Sequence, residues 1–158
     1  MQGLRRLFAT AVVIFLVDRL TKQWIVEWLD LKTRLFIDVF APYLTLRMAW
    51  NQGVNFGVFN LGADGRWVLI GVSVVICLVV VFWLRSAKGW AAPIAGGLVV
   101  GGAIGNAYDR VIYTAVADFL NMSCCGIENP FAFNVADVAI FAGAILLIFI
   151  GDTATKKT

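Results

Sequence analysis

The sequence predicts a membrane α-helical fold: four transmembrane helices carrying a small extracytoplasmic antiparallel β-sheet. Three observations predict it. The chain is 61% hydrophobic with a strongly positive mean hydropathy, whereas soluble domains are about 45–50% apolar. Four stretches, Leu7–Leu29, Trp67–Leu84, Trp90–Tyr108 and Asn134–Gly151, are almost continuously apolar. A helix of about 18 residues is about 27 Å long, close to the ~30 Å hydrocarbon layer, so each stretch can span with little tilt. Between the first two, residues Arg34–Phe59 change period and read as sheet.

The first stretch follows Arg5 and Arg6 and could pass for a secretory signal. It lacks a small-x-small cleavage site, and Asp18, Arg19 and Lys22 interrupt it, so a retained helix is expected. In the outer segment, Leu35, Ile37 and Val39 alternate with charged or aromatic residues. Leu44, Leu46, Met48 and Trp50 repeat that period beyond Pro42, as in a hairpin resting on the membrane surface. The third helix carries Gly97, Gly101 and Gly105 at every fourth position, beside Gly96 and Gly102, a face that lets another helix approach closely. Arg5, Arg6, Arg85, Lys88, Lys156 and Lys157 fall on one side of a four-span chain. The positive-inside rule puts both termini in the cytoplasm. Residues 30–66 and 110–133 then lie outside, with Trp67 and Trp90 as interfacial anchors. One membrane domain over residues 1–158 is expected.

Composition also excludes. A net charge of +3 without a basic stripe argues against nucleic acid. The chain has no histidine, which removes Ser-His and Cys-His pairs and histidine-ligated zinc. A Ser-Lys arrangement through Lys22 lacks a suitable serine, since Ser73 is mid-helix and Ser86 is placed in the cytoplasm. Cys77 reads as packing. Cys124 and Cys125 are adjacent, and neighbouring cysteines seldom bridge each other.

The carboxylates remain. Asp30, Asp64 and Asp152 read as solvated. Asp18 lies eleven residues into the first span, Asp109 and Asp137 end the third and begin the fourth, and Asp118 lies in the link between them. A charge at membrane depth costs about 2.5–3.5 kcal/mol, so such groups face a partner or a wet cavity. The third and fourth helices form an antiparallel hairpin, which lets Asp118 and Asp137 meet at the outer face. Two adjacent carboxyls share one proton; the ionised one can activate water while the neutral one donates to an oxyanion. Asp137, in a first helical turn, is the expected ionised member. Blander readings stand beside this. Asn134 and Asp137 make an N-cap pattern, Asp109 and Arg110 an interfacial ion pair, Asp18 and Lys22 a self-neutralising i,i+4 pair, and Asn51 and Gly53 a turn. A small proton-coupled transporter or a non-catalytic scaffold remains open on spacing alone.

Five motifs then occur in order: "DRLTK" (Asp18, Thr21, Lys22), "NQGVNFG" (Asn51, Gly53, Phe56), "GNAYDR" (Gly105, Asn106, Asp109, Arg110), "VADF" (Asp118, Phe119) and "FNVAD" (Asn134, Ala136, Asp137). Over nearly the whole chain the sequence resembles the lipoprotein signal peptidases, or signal peptidase II. The resemblance implies an intramembrane aspartyl protease of the bacterial plasma membrane, cutting diacylglyceryl-modified prolipoproteins before the lipidated cysteine. It puts catalysis on Asp118 and Asp137, near the outer face. Substrate-binding or supporting roles fall on Asp18, Lys22, Asn51, Gly53, Asn106, Asp109, Arg110, Asn134 and Ala136. Residues Arg34–Phe59 correspond to an outer β-cradle. It implies no metal or organic cofactor; the expected state is a monomer whose partners are prolipoproteins and membrane lipids. Val54 and Asn55 depart from the small residues frequent in the second motif, and Val138 from a frequent serine.

Overall fold

The computed structural model describes residues 2–53, 65–87 and 89–155. Val54, Asn55 and Phe56 of the second motif, and the charges Asp64, Lys88, Lys156 and Lys157, lie outside them. The elements run α1 (Gln2–Lys22), a π-helical extension (Gln23–Trp28), α2 (Leu31–Arg34), β1 (Phe36–Phe40), β2 (Leu44–Asn51), α3 (Gly65–Leu84), α4 (Ala91–Ile112), β3 (Val116–Asn121) and α5 (Val135–Thr155). Gly65–Leu84 and Ala91–Ile112 are long and apolar enough to cross a membrane, and Val135–Ile150 is a shorter apolar helix.

Helix α4 is the axis, and its glycines explain why. A Cβ on Gly97 would lie 2.6 Å from the Leu7 carbonyl oxygen, and one on Gly101 would lie 2.6 Å from that of Ala11. On another face, a Cβ on Gly102 would lie 2.5 Å from the Ala136 carbonyl oxygen. Gly143 of α5 returns the contact, with the Ala95 carbonyl 2.6 Å from its absent Cβ. Backbones of α1 and α5 therefore rest directly on α4, as the spaced glycines predict. Helix α3 packs against the end of α4 near its start, where Val80 and Leu84 join Leu7, Ala11, Ala95, Val99 and Leu147 in a core. The outward faces stay apolar: Leu20, Leu78, Phe82, Phe141 and Phe149 are all exposed, which suits lipid and not water.

Gly101→Leu tests this packing. Its side chain would meet both the Ala11 carbonyl and Ile14 Cβ, at 2.6 and 2.9 Å from Cβ alone. Helix α1 must withdraw, so thermal unfolding in detergent is expected to show a loss of about 1–3 kcal/mol or more, together with loss of activity. Wild-type stability and turnover in this variant would refute the close α1–α4 contact.

The sheet has the order β1-β2-β3, antiparallel throughout. Its third strand departs from the sequence reading, which put Asp118 in a link; Asp118 is instead a strand residue paired with Ala49. Ala117 and Phe119 point into a second core with Ile25, Val26, Leu31 and Leu46. Asp118, between them, faces the other way. The first helix also differs: regular α-helix stops at Lys22, and the remainder to Trp28 is π-helical. Helix α4 continues to Ile112, so Asp109, expected at the helix end, lies inside its last turns, and Arg110, expected in the outer segment, is helical too. Cys124 and Cys125, not expected to bridge, are disulfide-bonded. They sit in a turn closed by the Ile127 N–H donating to the Cys124 carbonyl at 2.9 Å.

Candidate active site

Three backbone devices bring the motif residues together. The first is a return of chain along β3. Phe133 exchanges hydrogen bonds with Leu120, its N–H donating at 3.0 Å and its carbonyl accepting at 2.8 Å. Asn134 is thereby laid beside Asp118, and its side-chain Nδ2 donates to Asp118 Oδ1 at 2.6 Å. The second is the start of α5. Asn134 N–H donates to Asp137 Oδ2 at 3.1 Å, and Asp137 N–H donates to Asn134 Oδ1 at 2.9 Å. This is a reciprocal capping box. The N-cap reading and the acid-pair reading of Asp137 thus hold together, because one asparagine touches both carboxylates. The third is the end of β2. Asn51 lies diagonal to Asp118 across the strand pair, and its Nδ2 donates to Asp118 Oδ2 at 3.1 Å. Gly53, at φ 100°, donates its N–H to Asn51 Oδ1 at 2.9 Å.

Beneath the pair lies a charge cluster. Lys22 Nζ contacts Asp18 Oδ2 at 2.9 Å and Asp109 Oδ2 at 2.6 Å, with all three residues buried. Asp18 Oδ1 accepts the Ala136 N–H at 3.2 Å, so an anion caps α5. Gly105 and Ala136 are small for a reason: a Cβ on Gly105 would lie 2.7 Å from Asp18 Oδ2. Asp109 Oδ2 accepts the Ala117 N–H at 3.2 Å and so ties α4 to β3, one residue before Asp118. Asn106 joins the two levels. Its Nδ2 donates to Asp137 Oδ1 at 2.7 Å, while its Oδ1 faces Lys22 Nζ at 3.4 Å and Asn134 Nδ2 at 3.2 Å.

The expected Asp109–Arg110 ion pair is absent among the described residues. Asp109 pairs with Lys22 and Arg19, whereas Arg110 donates from Nη1 to the Asn106 carbonyl at 3.2 Å. Neighbours on a helix diverge by about 100°, which sends the two side chains apart. The charges acting on Arg110 are led by Asp118 and Asp137, ahead of Asp109. The sequence reading missed Arg19. The available signal was charge balance, since Asp18 and Asp109 cannot both be neutralised by Lys22.

Burial raises the Asp118 carboxyl from the usual range to about 6, and the Asp137 charge adds to the rise. The Asn51 and Asn134 amides and the Lys22 charge pull the other way without prevailing. Beside Asp137 opens a groove of about 560 Å³ lined by Phe133, Val138, Ile140, Phe141 and Ala144, with Asp137 its only charged wall among the described residues. Two carboxyls joined through Asn134, one of them beside an apolar groove, offer acid and base groups without histidine.

The class so described is a membrane enzyme that works with carboxylates. Residues 10–151 match the family described as Signal peptidase (SPase) II. The chain is 39% identical to a lipoprotein signal peptidase of Methylobacterium sp. (strain 4-46) over 141 residues, 89% of this chain and 84% of that one. It is 36% identical to that of Rhodopseudomonas palustris (strain ATCC BAA-98 / CGA009) over 152 residues, 92% of each. A bacterial membrane enzyme solved by the in meso method at 2.3 Å resolution superposes with a TM-score of 0.72 at 25% identity, covering 96% of this chain and 91% of that one. A second, solved at 1.9 Å, gives 0.76 at 24% identity over 96% and 94%, a likeness of fold. The chain belongs to the signal peptidase II family, and it is a protease.

Proposed function

We propose that this enzyme removes signal peptides from diacylglyceryl-modified prolipoproteins, cutting before the lipidated cysteine with Asp118 and Asp137 as its catalytic pair. The single observation that carries the reading is Asn134, which hydrogen-bonds both carboxylates and joins them in one partly buried network. Helices α1, α3, α4 and α5 are read as four spans of one membrane-embedded unit. Both termini are cytoplasmic, and the sheet lies against the outer face of the bacterial plasma membrane. The acids then meet a scissile bond at the headgroup level, and the groove beside Asp137 takes apolar substrate.

The chemistry balances on two protons. Asp137, ionised, takes a proton from water as the oxygen attacks the carbonyl carbon; neutral Asp118 gives its proton to the carbonyl oxygen. When the tetrahedral diol collapses, Asp137 protonates the leaving amine and Asp118 recovers its proton. Asn51, Asn106 and Asn134 hold the two acids, and Arg110 supplies positive field near the developing charge. A proton relay through the membrane finds no support: α3 has no charged residue between Trp67 and Leu84, and α4 none before Asp109.

The test is a reconstituted assay with lipid-modified and unmodified prolipoprotein. Cleavage of the modified form alone, immediately before the cysteine, is expected; equal cutting of both, or at another bond, refutes the reading. A pH prediction accompanies it. Because the folded Asp118 carboxyl titrates near 6 rather than 3.8, the neutral acid is lost as pH rises through about 6, and turnover falls on that alkaline limb. The sign for stability is the same: Asp118 favours the fold most below 3.8, and that contribution disappears as pH climbs to about 6. Infrared difference titration reads the protonated carboxyl directly, with Asp118→Asn as the blank; a midpoint near 4 contradicts both statements.

A further inference from the structure

We propose that Arg19 is a positioning residue for the carboxylate pair, acting through Asp109. It rests on the Asp118–Asp137 reading and gives a role to a residue that lies inside the motif "DRLTK" but received none from the resemblance. Arg19 follows Asp18 on α1, and its side chain is only 16% exposed. Its Nη2 touches Asp109 Oδ1 at 2.5 Å, and its Nε stands 3.7 Å from Asp18 Oδ2. The Asp109 contact is Coulombic, without hydrogen-bond alignment. The guanidinium lies 4.9 Å over the Tyr108 ring, which is itself braced edge-on by Phe15 at 5.8 Å. Arg19 is therefore held between two acids and an aromatic face.

The charge count gives this contact its consequence. Asp18 and Asp109 are fully buried, and Lys22 can neutralise one of them. Arg19 neutralises the other and closes a quartet of zero net charge. One arm of that quartet ends on the backbone beside Asp118 and the other leads through Asn106 to Asp137. Asp109 Oδ2 grips the backbone N–H of Ala117, next to Asp118. Lys22 faces Asn106 Oδ1, and Asn106 donates to Asp137. Without Arg19, Lys22 is shared by two anions in a low-dielectric site, and both arms slacken. The pair would also feel one extra negative charge. The ionisable groups around it are Asp18, Arg19 and Lys22 from α1, Asp109 and Arg110 from α4, and the two acids themselves, on β3 and α5. Tyr113 and Glu27 lie farther out, beside Arg19 and each other.

Full pH–rate profiles of the purified full-length enzyme on lipidated prolipoprotein test the inference. Arg19→Gln is expected to lower kcat about tenfold with KM within about twofold, and to displace the bell upward by about half a pH unit or more. Arg19→Lys, which keeps the charge, should restore the profile and most of kcat. Asp109→Asn removes a negative charge and should displace the bell downward. A role in packing alone predicts lower activity with the bell in place. An unmoved bell in Arg19→Gln overturns the proposal; so does an Arg19→Lys profile matching that of Arg19→Gln. Should Arg19→Gln fail to fold, the direction of the Asp109→Asn displacement decides, and an upward or absent one is fatal. The dyad is judged separately. If Asp118→Asn and Asp137→Asn are inactive while the Arg19 bell stays put, Arg19 alone is misassigned.

Discussion

Asp118→Asn and Asp137→Asn are each expected to lower turnover about a thousandfold or more while leaving substrate binding nearly intact. The substitution keeps shape and removes the one property the reaction needs, a proton that can be given and taken. The two variants differ in side effects. Both Asp118 oxygens accept from amides, Asn51 Nδ2 and Asn134 Nδ2. An asparagine there must oppose one NH₂ with another, and exposed Asn51 can turn aside. The loss at Asp118 is then close to purely chemical. At Asp137 the capping oxygen can survive as an amide oxygen, but the atom facing Asn106 Nδ2 becomes an NH₂, and Asn106 cannot offer its own oxygen instead, because that oxygen already accepts from Lys22 and Asn134. Asp137→Asn should therefore also loosen the start of α5, with a modest fall in melting temperature that Asp118→Asn lacks. Single-turnover cleavage and co-purification of uncleaved prolipoprotein read the two effects apart. Turnover above about a tenth of wild type in either variant would be too large for a missing acid or base.

The same residues show what was legible beforehand. Helix positions followed from apolar run length, and the glycine spacing correctly marked α4 as the close-packed helix, because both signals are local. Asp118 and Asp137 were legible as a pair because charge in an oily chain demands a partner, whereas Asn134 was legible only as an N-cap and Asn106 only through the family resemblance. The strand holding Asp118 was not legible. Val116–Asn121 is buried at nearly every position, so the period of two that betrays a half-buried strand is missing. Its pairing with β2 depends on contacts about 70 residues away, which no local pattern encodes. The π-helical end of α1 was hidden for a related reason: Gln23–Trp28 has the composition of an ordinary interfacial helix, and its Ile25 and Val26 pack against sheet residues distant in sequence. Arg19 looked like one more charge interrupting a span until Asp109 was found inside α4.

Lys22→Met is expected to carry the largest cost in stability, about 3–5 kcal/mol. The ammonium sits 2.9 Å from Asp18 and 2.6 Å from Asp109, and it is 3% exposed. Methionine fills the volume but leaves two fully buried carboxylates facing Arg19 alone. One of them must then ionise without a partner or take up a proton. Either outcome weakens a carboxylate that holds backbone, Asp18 on Ala136 or Asp109 on Ala117. Stability and catalysis therefore fall together, through the first turn of α5 and through β3. The double variant Asp18→Asn/Lys22→Met separates charge from packing. It removes the surplus negative charge, and its amide oxygen can still accept the Ala136 N–H, so thermal unfolding followed by tryptophan fluorescence should show much of the lost stability regained. Activity should stay low, because Lys22 no longer faces Asn106 and the Asp137 arm is slack. A double variant no more stable than the single would mean that the lysine stem, and not its charge, holds the three helices together.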